Sequence, residues 1–176
     1  MDRNWDTRKL NESDLSKAII AIHLIAYPSP SMVDNYEPWH STNHWCLFLE
    51  FINGKSVRLE VTPGYGDDGL RAKIRLISKD HPCTSNHVCK VTYSLDYTVC
   101  LDDLIEIVQE NGTQRYQFAP GWEGCRHWNY VFIQDLESYS VLPRGAATRA
   151  WEALCYFYHT VYDAEVRPVG IGTFLA

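Results

Sequence analysis

The fold is decided by His44-Trp45-Cys46-Leu47-Phe48-Leu49-Glu50-Phe51, followed at once by Ile52-Asn53-Gly54-Lys55. The first eight residues alternate. In an extended chain His44, Cys46, Phe48 and Glu50 share one face, and Trp45, Leu47, Leu49 and Phe51 share the other. Asn53-Gly54 is the strongest short-range hairpin signal, because both residues tolerate the positive φ that a tight turn demands. The pattern predicts a strand, a hairpin and a returning strand over Ser56–Thr62. If Asn53-Gly54 forms a two-residue turn, Leu59, Val61 and Pro63 lie across from the face of His44. A bulge would bring Glu60 or Thr62 there instead, since a slip of one residue exchanges the faces.

Upstream, residues 18–26 form an Ile-rich apolar run that reads as a buried strand. Pro28-Ser29-Pro30-Ser31 breaks it, and a polar loop is expected to reach about residue 42. Downstream, Pro63 to Gly69 reads as a turn, and strands over Leu70–Ser78 and Cys89–Tyr97 are expected to complete a meander. The period then changes. Leu101, Leu104, Ile105 and Val108 fall at i, i+3, i+4 and i+7, an amphipathic helix with Asp102 and Asp103 in its first turn. A second helix is expected from Cys125 through Trp128, Phe132 and Leu136, and a third over Ala146–Tyr162. The tail from Val166 suits a short edge strand. Strands first and helices after give an α+β class, an antiparallel meander with about three helices packed on it. Residues 1–16 read as a polar N-terminal extension and residues 17–176 as a single domain.

At 176 residues, 45% hydrophobic and 13% aromatic, the chain can bury a substantial core without covalent staples. Its formal charge of −6, without a Lys/Arg stripe to neutralise phosphates, gives no support for nucleic-acid binding, and none is expected. Anionic membrane surfaces are poor partners for the same reason. The start, Met1-Asp2-Arg3-Asn4, lacks the basic-then-apolar pattern of a secretory signal, and no apolar run is long enough to span a bilayer. A soluble, cytoplasmic protein is expected, with its six cysteines reduced and no disulfide framework.

The chemistry concentrates at Gly124-Cys125-Arg126-His127-Trp128, read with Asn43-His44-Trp45. Cys125 follows the turn-like Ala119-Pro120-Gly121-Trp122-Glu123-Gly124 and opens a helix. There, unpaired backbone N–H groups and the helix dipole favour a thiolate. His44, at the start of a strand, is the candidate base for a Cys125 nucleophile. His127 lies two positions past Cys125, about 200° around a helix, and is expected to pack or cap rather than act as the base.

Trp122 and Trp45 are candidate walls of an apolar substrate pocket, Glu60 a candidate substrate contact, and Arg126 a candidate partner for an anionic group or else a solvated helix end. The aromatic content favours a small-molecule or acyl ligand over a peptide backbone. His81-Pro82-Cys83 and His87-Val88-Cys89 carry zinc-ligand types without the usual Cys-x2–4-Cys spacing, so neither metal nor cofactor is expected. No Gly-x-Ser-x-Gly element and no phosphate-binding loop occurs.

A His-Trp strand, a hairpin, further strands, a helix and then a Cys-x-His-aromatic helix resemble the circularly permuted papain-like superfamily, in particular the lecithin:retinol acyltransferase and NlpC-type group. In that group the motif reads Asn-Cys-Glu-His-Phe. Gly124-Cys125-Arg126-His127-Trp128 matches it at the cysteine, the histidine and the following aromatic, over a resemblance spanning roughly residues 43–138. The whole chain is also similar to uncharacterised fungal proteins carrying a domain of unknown function. The resemblance implies thiol-dependent acyl or amide transfer or hydrolysis, with Cys125 attacking, His44 shuttling the proton and helix-start N–H groups as an oxyanion hole. The group places a second polar residue, usually His, on the following strand, and no His is present there in this chain. Two alternatives stay open: a non-catalytic binding module of the same fold, and a non-hydrolytic cyclase or isomerase of fungal secondary metabolism. Oligomeric state is open as well.

Overall fold

The hairpin after Phe51 turns on three residues. Phe51 N–H donates to the Lys55 carbonyl at 2.8 Å and Gly54 N–H to the Phe51 carbonyl at 3.0 Å, with Gly54 at φ +74°. Only the glycine needs the left-handed conformation in such a loop. The resulting register pairs Leu47 with Leu59, Phe48 with Arg58, Leu49 with Val57 and Glu50 with Ser56. Even-numbered residues therefore face even-numbered ones. This corrects the two-residue turn, and it moves Glu60 to the face that His44 leads.

The computed structural model describes residues 4–29 and 42–175; most of the loop expected before residue 42 lies outside them. In chain order the strands are β1 (Trp5–Lys9), β2 (Ala18–Ala26), β3 (Trp45–Phe51), β4 (Ser56–Tyr65), β5 (Arg71–Lys79) and β6 (Cys89–Cys100). Then follow α1 (Leu101–Glu110), β7 (Tyr116–Gln117), α2 (Cys125–Ser138), α3 (Ala146–Leu154), β8 (Tyr156–Thr160), β9 (Asp163–Val166) and β10 (Thr173–Phe174). The class is α+β. The main sheet runs β10-β7-β5-β4-β3-β2-β6, antiparallel throughout, with β1 added parallel to β5.

Three expectations change. β6 crosses to the far side of β2 instead of pairing β5, so only β2 to β5 form a meander. The third helix stops at Leu154. Tyr156-Phe157-Tyr158-His159-Thr160 is aromatic and β-branched, and it pairs with β9 as a separate hairpin. The N-terminal segment expected at the periphery supplies β1. It is anchored by buried Asn4, whose side-chain amide donates to the carbonyls of Ala72 at 3.0 Å and Gln114 at 2.7 Å.

One face of the sheet carries the core. Leu24, Trp45, Leu47, Leu49, Leu59, Val61 and Ile74 pack against Leu104, Trp128, Phe132, Leu136, Ala150 and Leu154 of the helices. Trp128 stacks on Phe132 at 5.4 Å between ring centroids, and its indole N–H donates to the Thr113 carbonyl at 2.9 Å. Each fully buried ring of this kind contributes about 2–3 kcal/mol of transfer free energy. The opposite face carries a small cluster of Ile25, Cys46 and Phe48 with Tyr27 and Cys83 packed on it. α2 thus lies on the core face with its first residue at the end of the sheet where β3 begins.

Candidate functional site

Cys125 opens α2. The first bond of the helix runs from Trp128 N–H to the Gly124 carbonyl at 2.9 Å, so the N–H groups of residues 125–127 precede it. Gly124, at φ +153°, must be glycine. A Cβ there would come within 2.6 Å of the Tyr116 hydroxyl, which donates to the Gly124 carbonyl at 3.0 Å. The same hydroxyl accepts the Gly172 N–H at 2.9 Å, so the C-terminal tail and the start of α2 share one anchor.

His44 stands one residue before β3, its carbonyl accepting the Tyr27 N–H at 2.9 Å and its ring stacked on that of Tyr27. Its side chain is 38% exposed. Nε2 lies 3.2 Å from Oε2 of Glu60, and the Cys125 thiol is near enough to act on the basicity of the ring. Burial pulls the imidazole pKa down, but the thiol and the carboxylate outweigh it and lift it from 6.5 to about 9. An imidazole of that basicity holds its proton through neutral pH.

Glu60 is 4% exposed. Burial works against its charge, yet the His44 hydrogen bond and the Arg58 and Arg75 guanidinium groups hold its pKa below the usual carboxylate value. Oε1 receives Arg58 at 3.1 Å and Arg75 at 2.8 Å, leaving Oε2 to His44. The order Cys125, His44, Glu60 is that of a nucleophile, a base and the carboxylate that orients the base.

Two asparagines brace this arrangement, and neither stood out as a brace in the sequence. The side-chain amide of Asn129 donates to the Cys125 carbonyl at 2.7 Å and to the Trp45 carbonyl at 3.3 Å. It thereby ties the nucleophile's backbone to the residue after His44. Asn43 donates to the carbonyls of Tyr27 and Tyr158 and accepts the Tyr158 N–H at 2.7 Å, docking β8 beside His44. The signal was faint: a buried asparagine four residues past the cysteine and another just before the histidine.

The remaining candidates take varied places. Trp122 is 66% exposed at φ +63° in the turn before Cys125. Trp45 is fully buried, edge-on to Tyr158. Arg126 is buried, its guanidinium donating to the carbonyls of Leu154, Arg167 and Pro168, so it staples the end of α3 and the tail to α2 and is not a solvated helix end. His127 packs on the rings of Tyr116 and Phe174, and burial lowers its pKa. His87 is turned to the Thr84 carbonyl, His81 lies over Phe48, and Cys83 and Cys89 pack against different clusters. Among the described residues no group of three or more His, Cys, Asp or Glu side chains could hold a metal ion, and all six cysteines are free.

A family model described as a domain of unknown function, DUF7770, matches residues 22–175. The chain belongs to the DUF7770 family. No curated protein and no solved structure matches it. The match to the DUF7770 model begins within β2 and takes in every member of the Cys125, His44 and Glu60 set. β1 lies before the matched segment. No helix among the described residues of this DUF7770 protein is long and apolar enough to cross a membrane.

Proposed function

We propose that this DUF7770 domain is a thiol enzyme of the circularly permuted papain-like kind, acting on the acyl or amide group of a small molecule. The observation that carries the reading is the 3.2 Å contact of Glu60 with His44, on an imidazole whose basicity the Cys125 thiol also raises. Cys125 attacks the substrate carbonyl carbon as a thiolate, its proton passing to His44, and a tetrahedral oxyanion forms. N–H groups at the start of α2 stabilise that oxyanion. Collapse breaks the bond to the leaving alkoxide or amine, which takes the proton from His44, and leaves a thioester on Cys125. Water or a second nucleophile, deprotonated by His44, attacks the thioester and returns the thiol. Glu60 holds the imidazole in one orientation throughout.

The contact of Glu60 with the His44 ring supports the catalytic reading over a module that has lost its chemistry. Trp122, exposed three residues before the nucleophile, is the side chain best placed to meet an apolar substrate. A reduced, cytoplasmic setting suits a free thiol, and the likeness to fungal proteins would place the substrate in secondary metabolism. The test is incubation with a panel of activated esters and amides followed by intact-mass measurement. A covalent acyl adduct on the wild type, absent in Cys125→Ala, supports the reading; turnover that survives Cys125→Ala would move it to His44-centred acid–base chemistry.

A further inference from the structure

Glu60 is gripped from both sides. Oε2 is 3.2 Å from His44, and Oε1 is shared by Arg58 at 3.1 Å on its own strand and Arg75 at 2.8 Å on β5. The register explains the convergence. Glu60 and Arg75 are direct cross-strand partners, and Arg58 lies two residues along β4 on the same face. A carboxylate 4% exposed is costly to keep ionised unless it is paired, and two guanidinium groups on a single oxygen are more than neutrality requires. That surplus has a consequence for the other oxygen. Negative charge drawn toward Oε1 is charge not offered to His44.

We propose that Arg58 and Arg75 are positioning residues of the Cys125–His44–Glu60 set: by clamping Oε1 they aim Oε2 at the imidazole and limit how tightly His44 keeps its proton. The inference rests on the reading of His44 as the base. Limiting that grip matters because the imidazolium must later release its proton to the leaving group, and a base held too strongly by its carboxylate is a poor acid. The groups that bear on this pair come from every neighbouring element: Cys125 from α2, Tyr27 stacked on the ring, and Cys46 beside Glu60. Lys79 of β5 also acts on Glu60, and Asp6 of β1 lies 3.8 Å from Arg75. None but the two arginines donates to Oε1 among the described contacts. Asp6 has its own closer partner in Arg8 at 2.9 Å, so Arg75 remains Glu60's.

The test is the titration of the His44 ring by NMR in full-length protein carrying labelled histidine, its signal assigned from His44→Gln. Arg75→Met is expected to raise the His44 midpoint by roughly half a unit or more, since the freed carboxylate then serves the imidazolium alone. Arg58→Met shifts it the same way, Arg75→Lys returns it toward wild type, and Glu60→Gln lowers it. A midpoint that stays put or falls in folded Arg75→Met and Arg58→Met would overturn the proposal. Should Arg75→Met fail to fold, Arg58→Met and Arg75→Lys carry the same decision. Because the titration needs no turnover, an inert Cys125 would sink the thiol-enzyme reading while leaving the clamp to be judged on its own.

Discussion

His44 and Glu60 meet at 3.2 Å across two strands because the loop joining those strands has three residues and not two. With one residue fewer, Glu60 would turn into the core and His44 would face Leu59 or Val61. Glu60→Gln keeps the shape and removes the charge. It should slow Cys125 alkylation at pH 7 by roughly 10- to 150-fold, the value of one charge-assisted hydrogen bond of about 1.5–3 kcal/mol. Unchanged labelling would mean that Glu60 serves stability alone.

The raised basicity of His44 also sets a pH dependence of stability. A folded pKa of about 9 against 6.5 means that the folded state binds the proton more tightly. That contribution is fully present below about pH 6.5 and is lost as pH rises through about 9. His44 is more than a third exposed, so solvent screening limits it to on the order of 1 kcal/mol. Melting curves of wild type and His44→Gln should therefore differ at pH 6 and converge at pH 10. Curves that stay parallel across that range contradict the shift.

Gly124 sits where φ +153° and the Tyr116 hydroxyl exclude any side chain. Gly124→Ala must push Tyr116 away or swing the first turn of α2, at a cost of about 1–3 kcal/mol. Because Cys125 is the next residue, labelling of the thiol should fall along with Tm. A loss of Tm with thiol reactivity preserved would show that the two are uncoupled.

Asn129 couples them from the other side. Asn129→Ala removes both donations, to Cys125 and to Trp45, and should cost about 1–3 kcal/mol. It should also blunt the response of Cys125 to His44, seen as a smaller difference in labelling rate between the Asn129→Ala single variant and its His44→Ala double variant. An undiminished coupling would relegate Asn129 to packing.

Trp122 adopts a left-handed backbone that costs a non-glycine residue roughly 1 kcal/mol or more. Trp122→Gly should thus leave Tm unchanged or slightly higher. If the indole meets substrate, KM rises while the protein grows no less stable. A fall in Tm with unaltered KM would assign it a structural role.

Much of the architecture was legible because alternation and the 3.6-residue period are local. Residues 18–26, 45–51 and 101–108 announce their state from their own neighbours. What escaped was set elsewhere. The loop length after Phe51 hangs on which residue takes positive φ, and Asn53-Gly54 is compatible with either loop. β6 pairs β2 through contacts some seventy residues apart, such as His23 with Thr92. The third helix ran too far because Tyr158 and Val161 happen to continue the apolar stripe of Ala150 and Leu154, while the β-branched and aromatic run after Cys155 prefers a strand. Cys125 and His44 were visible as residue types in promising places. Glu60 became their partner only through register, and Arg126 became a buried staple only through a tail forty residues on.

The most direct measurement is the pH dependence of Cys125 alkylation, resolved by site with mass spectrometry, in the native protein and in His44→Ala. An undisturbed thiol titrates near ~8.5. The thiol-enzyme account predicts a folded Cys125 that is alkylated at neutral pH and whose labelling slows when His44 is removed. A Cys125 that is inert while folded, or that titrates as a free thiol indifferent to His44, would contradict it.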